Sequence, residues 1–455
     1  MQNQDTQFKT KIGLIAATLG SAVGLGSIWR FPAEAQENGG GAFLLLYLLC
    51  VIVLGIPVMV AETSLGRAGG SDSMGCFRNL SPRTKWWVGG LLGVITSYLI
   101  LCFYMVVAGW TFEYLWSSIT GALYSSPGVG NTALEATFHS RMEQYISSDI
   151  NPLIATFIMI ILNIGILLMG VQKGIERASN IMMPLLFVIL LIFGIYSLTM
   201  PGASEGLEYF FKPDFSKISW SVLANALGQT FFSLSLGMGI LVTYSSYYPK
   251  STNLVGTSVT VSMLTTVVAV LMGMIIFPTV FSYDLDMGEL RGTTLVFVTL
   301  PEVFAQIPGG RWWSILFFTL LLVAALTSTI SIGEVSVAFI QKRFGRSRLV
   351  ATLIVLCPLF IFSSICSLSF GSLSDWKIFG DNVFNFLDNF TTNYLLPITS
   401  LAAVLFIGWF APKGTLHNQI TNEGRINRGA APIVEVCIRY LAPLLIIIIF
   451  VSGLL

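Results

Sequence analysis

Charge is scarce in this chain. Lys, Arg, Asp and Glu make up 10% of its 455 residues, where soluble domains carry roughly 25%. That scarcity excludes an ordinary soluble enzyme and a disordered chain. The net charge is only +1, so no basic face is offered to nucleic acid. Histidine is nearly absent. His139 and His417 lie in polar connections far apart, which argues against a histidine-based metal or catalytic site. Six cysteines (Cys50, Cys76, Cys102, Cys357, Cys366 and Cys437) lie mostly inside apolar runs without metal-ligand spacing. They read as reduced, small, buried residues. A cleavable signal peptide is not expected, because the polar first ten residues lead into an apolar stretch broken by glycines.

What is abundant is apolar surface. Hydrophobic residues make up 54% of the chain, and the mean hydropathy is +0.79. The apolar runs are long and continuous, unlike the short alternating strands of a membrane barrel. The expected fold is therefore an all-α polytopic membrane protein. Windows of about 20 residues predict eleven spans, near 12–36, 41–67, 87–122, 152–170, 178–200, 220–245, 255–283, 311–342, 349–369, 382–411 and 430–454. The apolar stretch 294–305 is too short to cross and reads as a helix in an outer loop. Sixteen of the 24 Lys and Arg residues fall on the loops that share a side with the N-terminus, against six on the other side. The positive-inside rule then predicts a cytoplasmic N-terminus in the cell's inner (plasma) membrane. The odd span count predicts a C-terminus outside.

Spans 1 and 6 each open a run of five, and each carries a glycine-broken stretch at mid-depth. The first is Gly20-Ser21-Ala22-Val23-Gly24-Leu25-Gly26-Ser27, the second Ser233-Leu234-Ser235-Leu236-Gly237-Met238-Gly239. Broken helices at matching positions of two halves point to a transporter's binding site, although glycines also let helices pack closely. One transmembrane domain over 1–455 is expected. It divides into five-helix repeats at 12–200 and 220–411, with an eleventh helix at 430–454.

Unwound backbone exposes carbonyl oxygens that, with Ser and Thr hydroxyls, suit a small hard cation such as Na⁺. Freed N–H groups and helix dipoles suit a carboxylate. Span 8 adds Thr327 and Ser328, whose hydroxyls either join such a site or bond back to their own helix. Charges inside spans need partners. Glu435 and Arg439 suit a local pair four residues apart. Arg30 is expected to pair with Asp388 as an outer gate. Glu62 is expected to accept N–H groups freed at a broken helix. Glu34, Glu37 and Glu334 also need partners.

At these residues the chain resembles the neurotransmitter:sodium symporter family. The resemblance covers spans 1 to 10. It is most specific in Gly24-Leu25-Gly26-Ser27-Ile28-Trp29-Arg30-Phe31-Pro32, in Glu37-Asn38-Gly39-Gly40-Gly41-Ala42-Phe43 and in Gly228-Gln229-Thr230-Phe231-Phe232-Ser233-Leu234-Ser235. It implies a LeuT-like fold of two inverted five-helix repeats, in which helices 1, 2, 6 and 7 move against a scaffold that includes helices 3, 4, 8 and 9. It also implies two Na⁺ ions. The first site would take the Ala22 carbonyl, Ser27, Ser233, Thr265 and the substrate carboxylate. The second would take carbonyls of Gly20, Val23 and Ala324 with the hydroxyls of Thr327 and Ser328. Relatives often carry asparagine at the positions of Ser27 and Thr265, a departure in this chain. Chloride-dependent relatives use Tyr47, Gln229 and a helix-7 serine, a position that aligns with Ala269.

By the same resemblance, the substrate pocket would comprise Ser21, Ala22, Leu25, Gly26, Ile100, Tyr104, Phe232, Ser233, Ser235, Met238, Ser328 and Ile332. Tyr104 would meet the carboxylate, and Phe232 would close over the substrate. Relatives that carry monoamines have an aspartate at the position of Gly24, so this substrate should bring its own carboxylate. The uncharged lining favours apolar side chains, because a charged one would be buried unpaired, and Met238 allows several shapes. The expected activity is Na⁺-coupled import of hydrophobic L-amino acids, aliphatic and aromatic, by alternating access. A transporter-like amino-acid receptor without significant flux is the alternative. A pore would need a continuous polar lining or rings of charge, and a membrane enzyme a nucleophile-base pair or a metal cluster. At the inner side the family's gate charges align with Asp5 and Lys342, reversed in sign. Gly174 and Pro184, ten residues apart, predict that the inner end of helix 5 unwinds. Oligomeric state is unknown from sequence.

Overall fold

The computed structural model describes residues 7–125, 134–283 and 292–452. Among these, nine helices are long and apolar enough to cross a membrane. They are α3 (Gly41–Gly69), α4 (Trp87–Thr120), α5 (Asn151–Leu168), α6 (Val171–Ser197), α9 (Leu254–Tyr283), α11 (Gly310–Phe344), α12 (Arg348–Leu368), α13 (Val383–Phe410) and α14 (Ala431–Val451). A tenth span is the pair α1 (Lys11–Ala22) and α2 (Gly26–Glu37), bent by 59° at the glycine stretch. The expected sixth span is split into α7 (Trp220–Ser233) and α8 (Ile240–Ser245). Neither half is long enough alone, because a span needs about 20 residues. The short apolar helix α10 (Leu295–Gln306) lies where a non-crossing helix was expected.

The two longest helices, α4 and α11, pack along each other at the centre, with α5, α6 and α1 against them. The face that carries Phe8 and Lys9 is called the N-terminal face below. Charges within the spans find partners. Glu334 is fully buried and accepts from Arg348 Nη1 at 2.9 Å, Arg348 Nη2 at 2.5 Å and the Tyr247 hydroxyl at 2.9 Å. Glu435 pairs with Arg439 at 3.6 Å, as the four-residue spacing predicts, and with His417 at 2.7 Å. Such pairing removes the cost of an isolated charge in hydrocarbon.

Candidate functional site

The site is built where two helices stop. Between α1 and α2, Gly24 N–H turns back to the Ala22 carbonyl at 3.0 Å, and Leu25 N–H leaves the helix to donate to the Tyr104 hydroxyl of α4 at 3.0 Å. No side chain fits at Gly24. A Cβ there would lie 2.5 Å from Ser328 Oγ and 2.8 Å from the Tyr104 hydroxyl. The break therefore wedges between α4 and α11 and touches a polar group of each.

The second break spans 234–239, with Ser235, Gly237 and Gly239 at positive φ. Freed backbone groups inside a membrane must be satisfied, and several of those at this break find partners. Gly237 N–H donates to Glu62 Oε1 at 2.8 Å, the role expected of Glu62, and Ser400 donates to the same oxygen at 2.9 Å. The Gly237 carbonyl accepts from Thr399 Oγ1 at 2.5 Å, and the Met238 carbonyl accepts from Ser97. Glycine is required at 237, where φ is +79° and a Cβ would sit 2.4 Å from the Leu396 carbonyl oxygen.

The two breaks meet. Ser235 Oγ donates to the Ser21 carbonyl at 2.7 Å, and Gln229 Nε2 donates to the Gly26 carbonyl at 3.0 Å and to Ser233 Oγ at 2.9 Å. The Phe232 ring lies on Gly26, where a Cβ would meet it at 2.3 Å. On α11, Ser328 Oγ is 3.5 Å from the Gly20 carbonyl oxygen, and Thr327 packs against Gly20. Thr327 Oγ1 also bonds back to the carbonyls of Val323 and Ala324 at 3.0 and 3.1 Å. Ser27 Oγ, Thr265 Oγ1 and Gln229 Oε1 are buried without a partner among the described residues. Buried polar atoms left unpaired cost about 1–3 kcal/mol each, and these three lie at or beside the two breaks, whereas others such as Ser64, Ser336 and Ser363 are unpaired elsewhere in the core. Ala22, Val23, Ile100, Met238, Ala324 and Ile332 are all buried in the surrounding core.

Above the breaks, on the face opposite the N-terminus, a cavity of about 320 Å³ is lined by Arg30, Glu34, Tyr104, Phe232 and Asp388 among others. Arg30 and Asp388 share this cavity, but the ion pair of Arg30 is with Glu34 at 3.5 Å, one turn along its own helix. The Arg30 guanidinium also lies 4.7 Å above the Phe232 ring. Asp388 instead accepts from Thr392 at 3.3 Å.

On the N-terminal face Asp5 lies outside the described residues. Its expected partner Lys342 is exposed at a cavity it shares with Lys173, Arg346 and Arg348. The start of α6 is wound. Val171–Glu176 forms a π-helical turn that runs into the α-helix containing Pro184. Gly174 packs so closely on the Ile166 carbonyl oxygen that a Cβ would meet it at 2.2 Å. Single π turns within α-helices are frequent at functional sites, and the chain has others, such as Gly26–Arg30 and Thr391–Leu395.

Some site residues were not read from the sequence. Ser97 and Thr399, which satisfy the second break, look like ordinary helix hydroxyls. The α9 side chain beside the Tyr47 hydroxyl, together with Ser233, is Thr266. It is the neighbour of Thr265 and three residues from Ala269. The helix is apolar on all sides, so periodicity could not reveal which residue faces inward.

Known proteins share this architecture. The family described as "Sodium:neurotransmitter symporter family" matches residues 5–149 and 132–455. The uncharacterized sodium-dependent transporter YhdH of Bacillus subtilis (strain 168) is 36% identical, over 99% of this chain and 98% of its own length. An uncharacterized sodium-dependent transporter of Haemophilus influenzae is 34% identical over 99% of this chain and 98% of its own. The crystal structure of MhsT in complex with L-phenylalanine superposes with a TM-score of 0.89 at 40% identity, covering 98% of this chain and 99% of that one.

Proposed function

The chain belongs to the sodium:neurotransmitter symporter family and is a sodium-dependent membrane transporter, not an enzyme; from that premise we propose that it imports hydrophobic L-amino acids, aliphatic and aromatic, with Na⁺. The observation that carries the substrate class is the wedge at Gly24. Ser328 Oγ and the Tyr104 hydroxyl close on it, so the chain has no acid there to meet an amine, and the substrate supplies the carboxylate. The Tyr104 oxygen accepts from Leu25 N–H, so its own hydrogen can be donated either to the neighbouring Ser328 hydroxyl or to that carboxylate. The similar MhsT was crystallised with L-phenylalanine, which agrees with an apolar substrate side chain.

Two Na⁺ ions travel with the substrate in this reading. The first is held by the Ala22 carbonyl, Ser27, Ser233, Thr265 and the substrate carboxylate. The unpartnered Ser27 and Thr265 hydroxyls fit a cation that takes neutral oxygen ligands. The second is held by Gly20, Val23, Ala324, Thr327 and Ser328. A carboxylate that ligates Na⁺ raises affinity for the ion, and the ion raises affinity for the substrate by the same factor. Residues 12–200 and 220–411 act as the two repeats, with 430–454 added to them. The N-terminal face is cytoplasmic, the C-terminus is outside, and the membrane is the cell's inner (plasma) membrane, as the excess of Lys and Arg on one side supports. Arg30 and Asp388 close the outer cavity over Phe232 when substrate is bound.

The test is uptake of radiolabelled leucine and tryptophan into proteoliposomes, with an inward Na⁺ gradient and then with K⁺ in place of Na⁺. Saturable uptake only with Na⁺, competed by phenylalanine, is expected. Uptake indifferent to Na⁺ would remove the cation sites. Retained binding without uptake would favour the receptor reading.

A further inference from the structure

We propose that the hairpin just ahead of α13 is a membrane anchor, and that its tip, Phe379, inserts into the interfacial layer of the leaflet opposite the N-terminal face. The hairpin pairs β1 (Lys377–Ile378) with β2 (Asp381–Asn382), and Phe379 and Gly380 make its turn. Both turn residues have positive φ, +52° and +97°. A two-residue turn of this kind favours asparagine followed by glycine, and a bulky side chain is rarely held in the left-handed region. Phe379 is also 98% exposed. A strained backbone and a bare ring therefore fall on one residue, and among the described residues nothing covers that ring. Trp376, 61% exposed, and Ile378, 37% exposed, stand beside it, so three large apolar side chains project within four positions.

The helix below the hairpin tells which surface the tip meets. Asn385, Asn389 and Asn393 are exposed on one face of α13, and the last two line the outer cavity with Asp388. Phe386, Phe390 and Tyr394 share a different face, about 100° further round. Their rings form a ladder that begins at the tip. Centroids lie 6.1 Å apart from Phe379 to Phe386, 5.6 Å from Phe386 to Phe390 and 6.0 Å from Phe390 to Tyr394. The next position along this face is Ile398, an exposed apolar side chain inside the span, and at that depth it faces hydrocarbon. The tip thus continues a lipid-facing stripe and stands away from the cavity. Depth agrees. α13 has 28 residues and is about 42 Å long at about 1.5 Å per residue. The hydrocarbon layer is about 30 Å thick, so each end projects about 6 Å into the headgroups when the excess is shared. The hairpin is fixed to that end. Asn382 accepts Asn385 N–H at 2.8 Å, and Asp381 accepts from Asn389 Nδ2 at 3.0 Å. The tip therefore sits where aromatic rings favour the interface, and the exposed Lys377 can reach headgroup phosphates. Because α13 also carries Asp388, the anchor sets the height of that acid in the outer cavity.

The experiment attaches a fluorophore at Lys377→Cys, beside the tip, with Cys357 and Cys437 changed to serine. The other four cysteines are buried. The full chain is reconstituted into vesicles of phosphatidylcholine and phosphatidylglycerol that contain nitroxide lipids, labelled either at the headgroup or near the chain end. Iodide, present on both sides, reports access from water, with the same dye on free cysteine as the aqueous reference. Quenching by the headgroup nitroxide, weaker quenching by the chain-end one and protection from iodide are expected. Phe379→Asn removes the ring but suits the turn, so melting in detergent should stay the same or rise. It is expected to lower the ratio of inserted to withdrawn tips about tenfold or more, the scale of burying one phenylalanine side chain. Phe379→Trp is expected to keep the parent's quenching. Iodide quenching equal to that of the free dye would overturn the anchor and leave the tip as a surface for another protein. Lipid quenching unchanged by Phe379→Asn would overturn it as well. Neither readout uses substrate or Na⁺, so the anchor stands or falls apart from the transport reading.

Discussion

Replacing Gly24 by alanine would put a methyl group 2.5 Å from Ser328 Oγ and 2.8 Å from the Tyr104 hydroxyl. Ordinary contact begins at 3.4 Å, so Ser328 must retreat by about 0.9 Å and Tyr104 by about 0.6 Å. Neither move is free. Ser328 is fixed on the central helix α11, and Tyr104 is tied to Leu25 N–H at 3.0 Å. Overpacking of this kind costs about 1–3 kcal/mol. More telling is where the strain lands, since a misplacement near 1 Å at a binding centre costs on the order of a hundredfold. Gly24→Ala is therefore expected to weaken leucine binding by about 10- to 100-fold, or about 1.4–2.7 kcal/mol. The midpoint of Na⁺ activation should rise with it, because in the proposed sites one displaced hydroxyl serves the ion and the other serves the carboxylate. The assay is scintillation-proximity binding of radiolabelled leucine across a Na⁺ series, with thermal melting in Na⁺-free detergent as the control for folding. Parent-like leucine affinity and Na⁺ midpoint in a folded Gly24→Ala protein would refute the assignment of Ser328 and Tyr104.

Ser27 Oγ has no partner among the described residues, so Ser27→Ala should leave Na⁺-free melting unchanged while raising the Na⁺ midpoint of uptake about tenfold, the scale of a lost charged contact; an unchanged Na⁺ dependence would count against the first ion site. Glu62→Ala strands Gly237 N–H and the Ser400 hydroxyl, at about 1–3 kcal/mol each, and should lower the melting temperature clearly more than Glu62→Gln, which keeps an acceptor; equal melting of the two variants would contradict that role. Pro184→Ala restores an N–H inside α6 and should slow substrate exchange from the inner face by up to about tenfold, measured as efflux from preloaded liposomes. Unchanged efflux would show that the proline plays no part in opening that end.

The sequence carried the spans because crossing a bilayer depends on length and apolar composition alone, and α3 to α6 and α9 to α14 lie close to their predicted positions. It carried both breaks because glycine clusters with hydroxyls are rare inside such runs. Side-chain partners were harder to read. Arg30 was expected to reach Asp388, but an i+4 carboxylate, Glu34, competes on the same helix and holds it in this state. Glu176 was invisible for a different reason. It sits in the charged run Lys173 to Arg177, which reads as a loop, and two of its three donors are backbone groups 166 and 167 residues away, the third being the Thr10 hydroxyl. No pattern of side-chain types announces a carboxylate that binds mostly main chain. The facing of Thr266 was hidden by a helix too uniformly apolar to show a stripe.

The short helix α10 sets Phe297 between two indoles, that of Trp29 on the far half of helix 1 at 6.0 Å and that of Trp110 on α4 at 5.9 Å. In the proposed alternating-access cycle Trp29 belongs to a segment that moves, and Trp110 to the helix it moves against. Ring contacts of this kind depend on separations of a few ångströms. If those halves part as proposed, the emission of Trp29 should change with the separation, a native optical gauge that needs no attached dye. Among the 10 tryptophans, its share is the difference between the parent and Trp29→Phe, and stopped-flow mixing with Na⁺ would time the motion directly.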